Sequence, residues 1–109
     1  MWGNVTATID RQAMTLREFY PIYLAEHSRS STRRLHFIGT TLSIVCVLAG
    51  VATGNACWYL IALVQGYAWA WVGHFFFEHN RPATFKHPLK SFVCDWIMWF
   101  DMLRGRVGF

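Results

Sequence analysis

"LHFIGTTLSIVCVLAGVATGNACWYLIALVQGYAWAWVGHFFF", from Leu35 to Phe77, contains no Asp, Glu, Lys or Arg. A helix that crosses the hydrocarbon core of a bilayer needs about 20 mostly apolar residues, so this run has room for two crossings and a short turn. Gly54–Asn55 is the turn signal inside it. The reading is therefore a spanning helix over 35–53, about 28 Å long at the α-helical rise, and a second over 56–77. Trp58 and Tyr59 fall near the far end, where interfacial aromatics sit. The expected fold class is all-α, a membrane helical hairpin.

Working outward, the remaining composition agrees. A chain of 109 residues fits a single membrane domain over 1–109. Hydrophobic residues make up 54% and charged residues 15%, against about 25% charged in an ordinary soluble domain. All 10 Lys and Arg lie outside the uncharged run, five before it and five after. The positive-inside rule then puts both termini in the cytoplasm, in a bacterial inner membrane or, in a eukaryote, the endoplasmic reticulum. The net charge of +4 flanks an apolar block, which suits anionic lipid headgroups and not nucleic acid. No apolar stretch follows Met1, and Asp10 and Arg11 interrupt the start, which argues against a signal peptide. Cys46, Cys57 and Cys94 are widely spaced, without a disulfide or zinc pattern.

Residues 1–14 carry little signal and are expected to be a loose start. Over 15–27 an amphipathic helix places Leu16, Tyr20, Tyr23 and His27 on one stripe, with Pro21 expected to kink it or open its second half. "SRSSTRR", Ser28 to Arg34, reads as a polar turn. After the hairpin, "NRPATFKHP" is a loop whose last proline, Pro88, suits the first position of a helix over 88–104. There Leu89, Phe92, Val93, Trp96, Trp99, Phe100 and Leu103 form an apolar stripe, opposed by Lys90, Ser91, Asp95 and Asp101. Such a helix either lies in the cytoplasmic interface or caps the protein's own core.

The histidines stand out against this background. His36 and His74 lie equally far from Asn55 on either side, so an antiparallel hairpin sets them at one depth. His36, Thr40 and Ser43 share a stripe, and Gly39 with Ser43 forms a small-xxx-small pair suited to close packing. His74 and Glu78 stand at i and i+4 on one helical side. Polar groups at membrane depth face protein or water, not lipid. On one continuous helix His27 and His36 would point in opposite directions; a break between them lets the two converge. Imidazoles suit zinc, copper, iron or nickel, and a mixed His/carboxylate set with open positions suits non-haem iron. The bland alternative is histidines that hydrogen-bond backbone or headgroups. Glu78 could equally pair with Arg33, Arg34 or Arg81. His79 faces elsewhere on the helix and His87 sits in a loop. No G-x-S-x-G, Gly-rich phosphate loop or basic-aromatic motif is present.

"FYPIYLAEHSRSSTRRLHFIGT" followed by "VGHFFFEHNRPATFKHPLKSF" resembles the small membrane family typified by the fungal 2-hydroxy fatty acid dioxygenase of phytosphingosine breakdown. The matching positions are His27, His36, Gly73, His74, Phe77, Glu78, Arg81, Pro82 and Ala83, and the likeness covers about residues 15–105. It implies an Fe(II)-dependent enzyme that uses O2 to remove one carbon from a long-chain 2-hydroxy fatty acid. It implies His27, His36 and His74 as iron ligands. The 2-hydroxy carboxylate would chelate the metal in two open positions, its chain lying among the spanning helices. Arg81, with Arg33 or Arg34, would pair with the carboxylate. Two departures stand out: the chain is shorter than the fungal enzyme, and no histidine falls between His36 and His74. A fourth ligand would then be Glu78, His79, water or substrate. Two rivals remain: a non-catalytic membrane protein with a structural histidine cluster, or a lipid-complex subunit that docks through its Trp-rich last helix.

Overall fold

The protein was described from a computed structural model covering residues 15–82 and 85–109. The loose start expected over 1–14, and Ala83 of the second sequence block, lie outside the described residues. Helix α1 spans Leu16–Ala25. Thr15 starts it: its hydroxyl oxygen accepts the Glu18 N–H (3.3 Å) and its O–H donates to the Glu18 carboxylate (3.0 Å), so one side chain occupies a donor the helix start leaves open. The helix continues through Pro21, whose ring is exposed, and the expected kink does not break it. Phe19 and Tyr23 are its buried residues.

Helix α2 runs over Ser30–Thr53, several residues earlier than the sequence predicts. Most of the expected polar turn is thus its first turn. The cause lies across the hairpin: the Glu78 carboxylate accepts the Ser28 hydroxyl (3.0 Å) and the Arg29 N–H. An anion at a helix N-terminus is favoured by the exposed N–H groups and the helix dipole. Gly54, at φ 68°, ends α2 in the left-handed conformation that glycine adopts without strain. The Asn55 side chain then accepts the Cys57 N–H (3.0 Å).

Helix α3, Cys57–Val72, returns antiparallel and passes into a π-helical segment, Gly73–Glu78. The two long helices meet through small residues, as Gly39 and Ser43 predict. A Cβ on Gly39 would come within 2.9 Å of the Trp69 Cβ, and one on Gly66 within 2.8 Å of Ser43 Oγ. The Ser43 hydroxyl donates to the Ala62 carbonyl (2.7 Å), and the Gln65 amide donates to Ser43 Oγ (2.6 Å) and the Gly39 carbonyl (3.0 Å). Polar groups at this depth are turned toward the partner helix. Leu42, Val45, Leu48, Val51, Leu60 and Val64 are exposed. Both helices are long and apolar enough to cross a membrane, and only 17% and 22% of their most apolar windows are buried within the protein. A helix in a soluble core would be mostly buried.

Helix α4 spans Pro88–Leu103. Its Cys94, Met98 and Met102 join Phe19 and Tyr23 in a core cluster between α1 and α4. The helix does cap the core, yet with the face opposite the apolar stripe. Ser91 and Asp101 are buried, while Leu89, Phe92, Trp96, Phe100 and Leu103 are exposed. The chain after α4 folds back on the start of α2. Arg33 Nε donates to the Gly108 carbonyl (2.9 Å), Arg34 Nε donates to a main-chain oxygen of Phe109 (2.9 Å), and the Phe109 ring packs edge-on against Phe37.

Candidate metal centre

His27 follows the last turn of α1, His36 lies in the second turn of α2 and His74 is the second residue of the π-helical segment. The break between α1 and α2 and the antiparallel return bring all three together. Ring centroids are 4.9 Å apart for His27–His36, 4.4 Å for His27–His74 and 6.1 Å for His36–His74. One ring nitrogen from each lies within 4.8 Å of the others, and all three residues are buried.

Each ring has one nitrogen beside an oxygen. The carbonyl of Tyr23, freed at the end of α1, accepts from His27 Nδ1 (2.7 Å). His74 Nδ1 lies 2.7 Å from the Asn80 side-chain oxygen. The Asn80 amide nitrogen donates to the Glu26 carbonyl (3.0 Å), which fixes that oxygen as acceptor and His74 Nδ1 as donor. His36 Nε2 lies 3.5 Å from Asp95 Oδ1. With protons on Nδ1 of His27 and of His74, lone pairs remain on Nε2 of both. Metal-binding histidines are held in this way, the second ring nitrogen fixing tautomer and orientation.

The fit to a cation rests on His27. Its Nε2 is buried with no hydrogen-bond partner among the described residues, an arrangement that ordinarily costs about 1–3 kcal/mol. Burial, followed by the neighbouring His36 and His74, holds its pKa well below the usual histidine value. The imidazole is therefore neutral at neutral pH, as ligation requires. A cavity of about 10 Å³ lies among His27, His36 and His74, with Trp71 and Asp95 also on its wall; that is close to the room one water-sized sphere takes. Three imidazole nitrogens around such a space can hold a metal ion.

Residues 13–107 match the family model described as 2-hydroxy-palmitic acid dioxygenase Mpo1-like. The chain belongs to the Mpo1-like family. Comparison with curated proteins gave no match, and comparison with solved structures gave none.

The other candidates of this Mpo1-like chain are placed differently. Glu78 and His79 do not join the three-histidine group. In the π-helical segment the hydrogen bonds run i→i+5, so the α-helical stacking of positions 74 and 78 does not carry over. The Glu78 carboxylate turns to Ser28 and Arg29, in place of the expected arginines. His79 follows in the left-handed region at φ 59° and is exposed. Arg33 Nη1 donates to the carbonyls of His27 (2.9 Å) and Ser28 (2.7 Å), and Arg34 also stacks over Phe109. Both therefore brace main chain. Arg81 is exposed and borders a neighbouring cavity of about 350 Å³ with Phe19, Ile22 and Lys86, which shares Pro82 with the histidine cavity.

Three contributors to the Mpo1-like site escape sequence reasoning as site residues: Tyr23, Asn80 and Asp95. The phenol of Tyr23 donates to Asp95 Oδ1, and its ring stacks on His27 at 4.1 Å. Burial pushes the Asp95 carboxyl up to about 7, against the lowering effect of the Tyr23 hydrogen bond. A signal for Asp95 did exist: it is an acid opposite the apolar stripe of an interfacial helix, which turns it toward protein. Asn80 carries no such pattern. Asp95 and His36 also line a second, larger cavity of about 170 Å³. This one is a groove between α2, α3 and α4, walled by Thr40, Gly66, Phe92 and Trp96 and reaching Tyr59.

Proposed function

We propose that this Mpo1-like chain is an iron-dependent membrane dioxygenase that shortens long-chain 2-hydroxy fatty acids by one carbon. The observation that carries the reading is the sharing of His36 and Asp95 between the histidine cavity and the groove. That arrangement sets an apolar channel directly beside the candidate metal centre. His27, His36 and His74 would hold the iron and leave positions open for substrate. Bound iron would supply Lewis-acid binding of the hydroxy acid and O2 chemistry.

The chain's own residues do the rest. Tyr23, Asn80 and Asp95 fix the ring orientations, and the groove takes the acyl chain. Arg81 would pair with the substrate carboxylate from the neighbouring cavity, which shares Pro82 with the histidine cavity; Arg33 and Arg34 already hold main-chain oxygens. The overall change balances without an outside reductant. The bond between the carboxyl carbon and the carbinol carbon breaks, the carbinol carbon becomes the new carboxyl, and O2 takes four electrons, giving the shorter acid, CO2 and water. The bilayer is the working partner, with both termini on the cytoplasmic side as the flanking Lys and Arg imply.

The test is O2-dependent conversion of 2-hydroxypalmitate to the acid one carbon shorter by detergent-purified, iron-loaded protein. Conversion that disappears in the His36→Ala/His74→Ala variant supports the reading. Iron-loaded protein that consumes neither O2 nor hydroxy acid would leave the histidines as a brace between α1 and the hairpin.

A further inference from the structure

We infer that the groove between α2, α3 and α4 is an acyl-chain site entered sideways from the bilayer, with Tyr59 setting the length of chain it accepts. The inference rests on the proposed substrate class and adds the direction, entry and limit of the bound chain. His36, Thr40 and Ser43 of α2 and Ala70, Gly66, Ala62 and Tyr59 of α3 line it side by side, the two helices touching at Ser43, Ala62 and Gly66 to form its floor. In an antiparallel hairpin both series run from the histidines toward the Gly54–Asn55 turn. From Ala70 to Tyr59 the groove extends on the order of 16 Å at the α-helical rise, a span for a long chain and not a short one.

The far end is fixed. A Cβ on Gly50 would come within 2.8 Å of the Tyr59 ring, so that ring lies directly against the α2 backbone. The side is open: Leu63, Phe92 and Trp96 line the groove and are themselves exposed, on the lipid-facing surface. The polar end is set by His36 and Asp95. A substrate arriving from the bilayer therefore keeps its chain at membrane depth while its head reaches the histidines. Lipid tails are as apolar as leucine, so moving a chain from bilayer to groove brings little transfer energy. Selection falls to fit. A chain too long meets Tyr59, and one too short leaves wall atoms without partners.

Two partly exposed positions, Tyr59 and Leu63, allow a test. Tyr59→Ala should move the preferred length in a series of saturated 2-hydroxy acids upward, and Leu63→Trp should move it downward, each with at least a several-fold change in the ratio of kcat/KM for long over short acids. Independently of turnover, metal-free protein in phospholipid nanodiscs is photolabelled with a long-chain 2-hydroxy acid carrying a diazirine on its terminal carbon. Label is expected on Tyr59 and Leu63; a diazirine beside the carboxyl should label Trp96 or Asp95. Label spread over Leu48, Val51 and Val64, or an unchanged length profile in both variants, would overturn the inference. Placed labelling without turnover would keep the chain site and remove the oxygenase reading; turnover with scattered labelling would do the reverse.

Discussion

Of the three imidazoles, His27 has a buried nitrogen without a hydrogen-bond partner among the described residues, and its other nitrogen is committed to the Tyr23 carbonyl. Orientation is what such partners contribute, so their loss is measurable. Asn80→Leu releases His74 Nδ1 and should weaken metal binding by roughly 10- to 100-fold, the usual effect of removing such a partner; competition with a chelator of known affinity checks this, and unchanged affinity would deny Asn80 that role. Glu78 gives the opposite expectation. Its carboxylate caps α2, so Glu78→Gln should cost about 1 kcal/mol of stability while leaving metal content intact. Loss of metal in that variant would make Glu78 a ligand after all. At this scale the sequence carried the three histidines, through their symmetric distances from the turn and the break after His27. It could not carry Asn80 or the direction of Glu78, because both depend on a π-helical turn that no periodicity announces.

At the scale of elements, the close approaches decide. A Cβ on Gly73 would lie 3.0 Å from the Thr32 Cγ2 and 3.2 Å from its Cα. Gly73→Ala should therefore cost about 1–3 kcal/mol by overpacking and, by displacing His74, lower metal affinity as well. Thermal unfolding with and without metal separates the two effects. Beside the apolar cluster, a polar tie joins α1 to α4: the Tyr20 hydroxyl donates to Asp101 (2.8 Å), and Arg104, three residues further along, lies 2.6 Å from the same carboxylate. Arg104 chiefly, with Tyr20, holds the Asp101 carboxyl below its usual range against burial. A lowered carboxyl contributes stability above its unfolded pKa and loses it as acid protonates the folded form. Asp101→Asn should thus cost about 1 kcal/mol at neutral pH, with the difference from the parent shrinking as pH falls below about 4. A gap constant down to acid pH would contradict this. The orientation of α4 is the least legible feature in the sequence: with lipid available, the aromatic stripe of Phe92, Trp96 and Phe100 need not face the core, and the small and sulfur-bearing side chains of Ser91, Cys94 and Met98 pack inward instead.

Across the whole molecule, the long uncharged run was enough to establish the hairpin. It lacked charge over a length that only two helices and a turn can use. The described chain is elongated, 56 × 26 × 26 Å, with the histidines toward one end of the hairpin and Cys57 exposed at the other. If the termini are cytoplasmic, as proposed, Cys57 lies across the membrane, and an impermeant thiol reagent added outside intact bacterial cells that express it should label it in a Cys46→Ala/Cys94→Ala variant; labelling only after lysis would reverse the orientation. The proposed function depends on one ion held among His27, His36 and His74. The most direct measurement is the metal content of the purified protein beside that of His27→Ala, His36→Ala and His74→Ala. A single iron per chain, lost in each folded variant, is the result predicted. Native protein that stays metal-free when offered Fe(II), or variants that keep their iron, would contradict it.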